Sequence, residues 1–164
     1  SAAQTVQNLQ EVVSLYPESP SAPIAALMLA KNYYDSGNHA LADGAYADFI
    51  QKYPAHSMAP VAELGRAHVQ EAIGQTEQAA LAYSAFAKKY PTHFLLADAI
   101  LSQARSLATM GRTGEARVVY EDFMAAHPNS SFVPEAEAAL MRLKRTAPAP
   151  AVAPAAPPEP PPKG

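Results

Sequence analysis

One decapeptide constrains this chain more than any other feature. AYADFIQKYP at 45–54 returns as AYSAFAKKYP at 82–91 and as VYEDFMAAHP at 119–128, each 37 residues after the last. A fainter copy, NLQEVVSLYP at 8–17, lies one step upstream. At this period Gly37, Gly74 and Gly111 coincide, as do Leu27, Leu64 and Leu101, and Ala30, Ala67 and Ala104. Further along the unit Ala42, Ala79 and Ala116 align, then Tyr46, Tyr83 and Tyr120, then Phe49, Phe86 and Phe123. Tyr53, Tyr90 and His127 follow, and Pro54, Pro91 and Pro128 close the unit. No insertion interrupts these columns, and such regularity marks a repeat architecture.

Each column has a mechanical reading. Ala42, Tyr46, Phe49 and Tyr53 are spaced four, three and four, which is one face of a helix. Leu27, Ala30 and Tyr33 or Tyr34 form a second apolar stripe before the glycine. The glycine ends the first helix, because a left-handed cap costs it little. The proline stops the second helix by lacking an amide donor. Alanine at 30 and 42 lets two antiparallel helices approach closely. Each unit is therefore a helical hairpin, and neither helix buries its stripe alone, so stacking on the next hairpin supplies the core. The expected core comprises the Leu, Ala, Tyr and Phe columns: Leu27, Ala30, Ala42, Tyr46 and Phe49 with their equivalents at 64, 67, 79, 83 and 86, and at 101, 104, 116, 120 and 123.

The pattern predicts about eight helices, at 2–16, 21–36, 38–53, 57–73, 75–90, 94–110, 112–127 and 131–145. The domain organisation that follows is a half repeat at 1–17, full repeats at 18–54, 55–91 and 92–128, and a polar capping helix within 129–145. Ser19, His56, His93 and Ser130 share the turn after the proline, where serine is a natural helix N-cap and histidine its substitute.

These residues resemble the tetratricopeptide repeat: a small residue in the first helix, a turn glycine, a small-then-aromatic second helix and a closing proline. The resemblance covers about residues 2–145. It implies an all-α, right-handed solenoid of antiparallel helical hairpins that binds proteins and has no catalytic activity. The 37-residue period and the YxxFxxxYP ending are similar to repeats of bacterial envelope proteins. Those include the ancillary subunit of the Sec translocon, the assembly lipoprotein of the outer-membrane insertion complex and the Tol–Pal-associated division coordinator. The resemblance therefore implies a periplasmic, membrane-anchored module assisting translocation, assembly or envelope organisation, with the cytoplasm as the alternative. The first residue, Ser1, falls inside a repeat, so a signal or anchor is expected upstream.

Composition excludes other classes. A net charge of −3, with the 12 Lys and Arg scattered, argues against nucleic acid. Without cysteine there is no disulfide, no thiolate ligand and no thiol nucleophile. No phosphate loop, nucleophile elbow or His-Glu-x-x-His occurs, so no catalytic residue, cofactor or metal is expected. His68 and Glu71 are three apart on one helix, half of a metal site with no second half.

In solenoids of the resembled kind the first helices line a concave groove. The column after the core alanine then reads Lys31, His68, Arg105 and Arg142, one basic rung per hairpin, with Tyr34 and Glu71 nearby. Arginine grips carboxylates with two parallel hydrogen bonds, so the resemblance implies an acidic or C-terminal peptide segment as partner. Asp35, Glu71 and Asp98 partly neutralise the ladder. Two alternatives stand beside this reading. One is self-association through an apolar edge of the half repeat, at Val6, Leu9 and Val12. The other is a regulatory or substrate-docking domain of a larger protein. Residues 146–164 are a Pro/Ala-rich tail, expected to favour polyproline II. It reads as an unstructured end, a spacer or a ligand for an aromatic-lined groove, docked on its own or a neighbouring solenoid with Glu159 near the ladder.

Overall fold

The computed structural model describes residues 2–146. These form eight helices: α1 (Ala2–Leu15), α2 (Ala22–Asp35), α3 (His39–Lys52), α4 (Ala59–Ala72), α5 (Thr76–Lys89), α6 (Leu96–Thr109), α7 (Thr113–Ala126) and α8 (Val133–Thr146). First helices begin at 22, 59, 96 and 133 and second helices at 2, 39, 76 and 113, so the sequence period is also the structural period. The fold is an all-α solenoid. Thr146, assigned above to the tail, is the last residue of α8. The expectations for 147–164, Glu159 among them, lie outside the described residues.

Both kinds of turn follow from local chemistry. Gly37, Gly74 and Gly111 have φ of 76°, 81° and 77°, a region where a Cβ would be strained. Around Gly37, the Gly37 amide donates to the Tyr34 carbonyl and the Asn38 amide to the Tyr33 carbonyl. The same pair of bonds recurs at Gly74 and Gly111, satisfying carbonyls that the helix end leaves open. At the other turn Ser19 Oγ and Ser130 Oγ each accept from the amide two residues on, at 3.2 Å. His56 Nδ1 and His93 Nδ1 accept the equivalent bonds at 3.1 and 3.2 Å. Histidine does replace serine here, but as a turn residue rather than an N-cap. The N-cap positions are Ser21, Met58 and Leu95, whose side chains make no capping bond. The helices start later than expected because the side-chain bond fixes the turn first.

The core runs between units. Phe49 with Tyr46 joins α2, α3 and α4; Phe86 with Tyr83 joins α4, α5 and α6; Phe123 with Tyr120 joins α6, α7 and α8. The second helices α3, α5 and α7 are thus each held between two first helices, as the unpaired stripes require. All the Leu, Ala, Tyr and Phe columns are buried, Leu27, Leu64 and Leu101 included. Gly65 marks a close approach: a Cβ there would lie 2.6 Å from Tyr46 Cζ. Gly44 has open space around it, and nothing in the structure requires glycine there.

The apolar edge expected on the half repeat is partly covered, and Leu15 and Tyr16 stay exposed at its end. Val6, Leu9 and Val12 are half-buried in α1, which packs on α2 and is tied to it by Gln10 Nε2 donating to the Tyr33 hydroxyl. The exposed side of α1 carries Gln4, Gln7, Asn8 and Glu11, with Gln4 bonded to Asn8 and Gln7 to Glu11. On α8, Glu135, Glu137, Lys144 and Arg145 are exposed, together with Met141.

Candidate functional site

The basic column occupies one equivalent position on each of α2, α4, α6 and α8. Its rungs are not a uniform stripe: carboxylates of the chain itself meet Lys31, His68 and Arg105, each in a different way. Lys31 Nζ donates to both Asp35 oxygens at 2.7 and 2.8 Å, an exposed pair one helical turn apart. Such a pair is worth about 0.3–0.5 kcal/mol. Tyr34, expected beside it in the groove, is half-buried with its ring 5.5 Å from that of His39, and is a packing residue.

His68 and Arg105 belong to a closed ring of six side chains on α4, α5 and α6. The Tyr83 hydroxyl donates to Glu71 Oε2 at 2.8 Å and lies 2.7 Å from His68 Nδ1. His68 Nε2 is 3.3 Å from Asp98 Oδ2. Ser102 Oγ donates to Asp98 Oδ1 at 3.2 Å and accepts from Arg105 Nη2 at 3.0 Å. Arg105 closes the ring on Glu71 at 3.4 and 3.5 Å. Which atom supplies the proton of the Tyr83–His68 link, and of the His68–Asp98 link, depends on the His68 tautomer.

The ring sets its own electrostatics. The hydrogen bond from His68 holds the Asp98 carboxyl below the usual carboxylate range, against the effect of burial. Burial first, and Glu71 second, push the Tyr83 phenol far up, so it is a fixed donor. Tyr46, one unit earlier, is pushed up to about 12 by burial and the Asp35 charge. The ring makes Ser102, which is wholly buried, a satisfied polar residue. It couples consecutive units through polar links above the apolar floor.

Arg105 and Arg142 come together at a cavity of about 380 Å³ between α6 and α8, which Tyr120, Glu135, Ala139 and Ala108 also line. Tyr120 senses both guanidiniums and Glu135, while burial dominates and raises its pKa. A separate cavity of about 420 Å³ opens at the turns before α6 and α8, beside Phe94 and Phe132. Phe94 is 78% exposed and stacks on His93 at 4.4 Å, where the other repeats have Pro20, Ser57 and Ser131. Sequence reasoning passed over it, although its departure from its column was the available signal. His68 and Glu71 are members of the ring, and among the described residues no group of three or more His, Asp or Glu side chains is placed to hold a metal ion. No helix among the described residues is long and apolar enough to cross a membrane.

Comparison with known proteins agrees with this geometry. Residues 1–147 match the family described as tetratricopeptide repeat-like domain. No curated protein matches the chain. Among solved structures it is similar to a tetratricopeptide repeat protein from Parabacteroides merdae, with a TM-score of 0.71 and 14% identity. That match covers 88% of this chain and 54% of the other, so the chain spans about half the length of that relative. It is also similar to the nearly identical repeats of a putative kinesin light chain from Podosopora anserina: TM-score 0.74, 16% identity, 88% of this chain and 78% of that one. At such identities the likeness shows the fold.

Proposed function

We propose, from the premise that the chain belongs to the tetratricopeptide repeat-like domain family, that it is a non-enzymatic scaffold for protein–protein interaction. The observation that carries the reading is the unit-to-unit core. Three aromatic layers lock consecutive hairpins, so the first helices present one ordered surface along which contacts with an extended partner add up. The polar face of α6 and α8 with its cavity is the partner-binding part of that surface. The setting we infer is the bacterial periplasm or cell envelope, in protein translocation, assembly or envelope organisation. Support for that setting is the YxxFxxxYP signature and its resemblance to envelope repeats.

Affinity capture from detergent-solubilised envelope of the source organism, read by mass spectrometry, tests the reading. The expected result is a specific partner that the chain captures and the Arg105→Glu, Arg142→Glu double variant does not. Equal capture by both proteins contradicts the placement on this face. Absence of any specific partner contradicts the scaffold reading.

A further inference from the structure

The cavity of about 420 Å³ lies between the turn that follows α5 and the turn that follows α7. Five aromatic rings line it: His93, Phe94, Phe123, His127 and Phe132. Phe123 and His127 belong to columns that recur in every unit, whereas the two turns depart from theirs. Phe94 stands where the turn one repeat earlier has Ser57, and Phe132 where it has Leu95. Ser130 and Ser131 are small where that turn carries His93 and Phe94. An aromatic pair on one turn thus meets a small pair on the next, and a cleft opens between them. Phe94 and Phe132 stay exposed beside it. No carboxylate, lysine or arginine lines the cleft. Its polar side chains can donate. The Leu95 amide bonds to His93 Nδ1 at 3.2 Å, which leaves Nε2 as the nitrogen that carries the proton, and Thr92, Ser130 and Ser131 add hydroxyls. The ligand that suits such a cleft presents apolar rings to the aromatic walls and carbonyl oxygens to the donors.

We propose that this cleft is a docking site for the chain's own proline-rich segment PPEPPP, residues 157–162. Proline fixes φ and has no amide donor, so such a segment favours polyproline II and offers its carbonyls outward. At three residues per turn, Pro157 and Pro160 share one edge, Pro158 and Pro161 the next, and Glu159 falls on the third. Two adjacent edges are therefore proline alone and pack on the rings, while the charge faces water, as the uncharged lining requires. The reach is sufficient. The cleft lies at the start of α8, and the 14 residues of that helix span about 21 Å. Pro157 follows Thr146 closely enough in sequence that polyproline II between them covers about 34 Å, at about 3.1 Å per residue. The tether holds the segment at a local concentration in about the millimolar range, so a weak contact is enough to fill the cleft. The cleft shares no residue with the cavity at Arg105 and Arg142, so a docked tail leaves the first-helix surface open.

A nitroxide on Lys163→Cys reads the docking by NMR, and the chain's lack of cysteine makes that label unique. In the full chain the label should quench the amide signals of Phe94 and Phe132. It should spare the turn at Ser19 and Ser21, at the other end of the stack. Phe94→Ser puts in the residue that the same column has at 57 and 131, so the ring is lost and the turn is kept, and a thermal melt checks the fold. Quenching should disappear in this variant. It should also disappear in the fourfold variant Pro157→Ala, Pro158→Ala, Pro160→Ala, Pro161→Ala. No quenching at the two turns, or quenching unchanged in either variant, overturns the proposal. A mixture of the labelled protein with an isotope-enriched copy that has no nitroxide separates tail from neighbour. Quenching of the enriched copy overturns the chain's own tail as occupant and assigns the cleft to the tail of a second copy. Partner capture through Arg105 and Arg142 uses neither the cleft nor residues 157–162, so each reading can fail alone.

Discussion

The α4–α5–α6 cell and the α6–α7–α8 cell share a fold and differ in chemistry. Both have an aromatic floor, Phe86 with Tyr83 in one and Phe123 with Tyr120 in the other. Above the floor the first is closed by six side chains that satisfy one another, and the second is open around a cavity. A repeat protein thus carries its own control experiment. The columns that stay constant hold the stack together, and those that change between otherwise identical cells are free to serve something else.

The largest expected effects test whether the floors are equivalent. Phe86→Ala and Phe123→Ala should each destabilise by about 3–5 kcal/mol in urea unfolding, since both rings are almost wholly buried between three helices. A large difference between them would mean that the cells already differ at the apolar level. Next comes the cell before them, where the tyrosine rests on glycine. Gly65→Ala should cost about 1–3 kcal/mol because its Cβ meets the Tyr46 ring. Gly44→Ala, with open space around it, should instead stabilise by up to about 1 kcal/mol. Ser106 is fully buried with an unpartnered Oγ, and the equivalent residue one repeat earlier is the buried Val69. Ser106→Val should therefore raise stability by about 1 kcal/mol.

The smallest effect is confined to acid. The folded pKa of Asp98 is depressed, so its contribution is present above the unfolded value, about pH 4, and is lost as pH falls through the lower folded value. Asp98→Asn should flatten the stability profile in that window, measured by thermal melts between neutral and acid pH. Glu135→Gln in the open cell serves as the comparison.

The period, the hairpins and the buried columns were legible because they rest on local rules. Glycine at a left-handed turn, proline after a helix and apolar residues at spacings of three and four each act within one unit. Helix starts at α4, α6 and α8 came out later than the pattern implied, because His56, His93 and Ser130 bond forward to a turn amide. The basic column was legible, and so were Asp35, Glu71 and Asp98 as the carboxylates that partly neutralise it; the ring that joins them through Tyr83 and Ser102 was not. The ring's contacts join residues far apart in sequence: Tyr83 lies 15 residues from His68 and Asp98 lies 30 from it. No helical periodicity reports such contacts. Comparing the columns one repeat apart does, once the ring is known: alanine at 108 against glutamate at 71 stands in the sequence.

The measurement that bears most directly on this account is urea unfolding of Tyr83→Phe and Tyr120→Phe at neutral pH, side by side. The two variants remove the same atom from equivalent positions. The account predicts a loss of about 1–3 kcal/mol for Tyr83→Phe, which strands Glu71 and His68, and under about 0.5 kcal/mol for Tyr120→Phe. Equal losses would contradict it, because the second cell would then be as closed as the first.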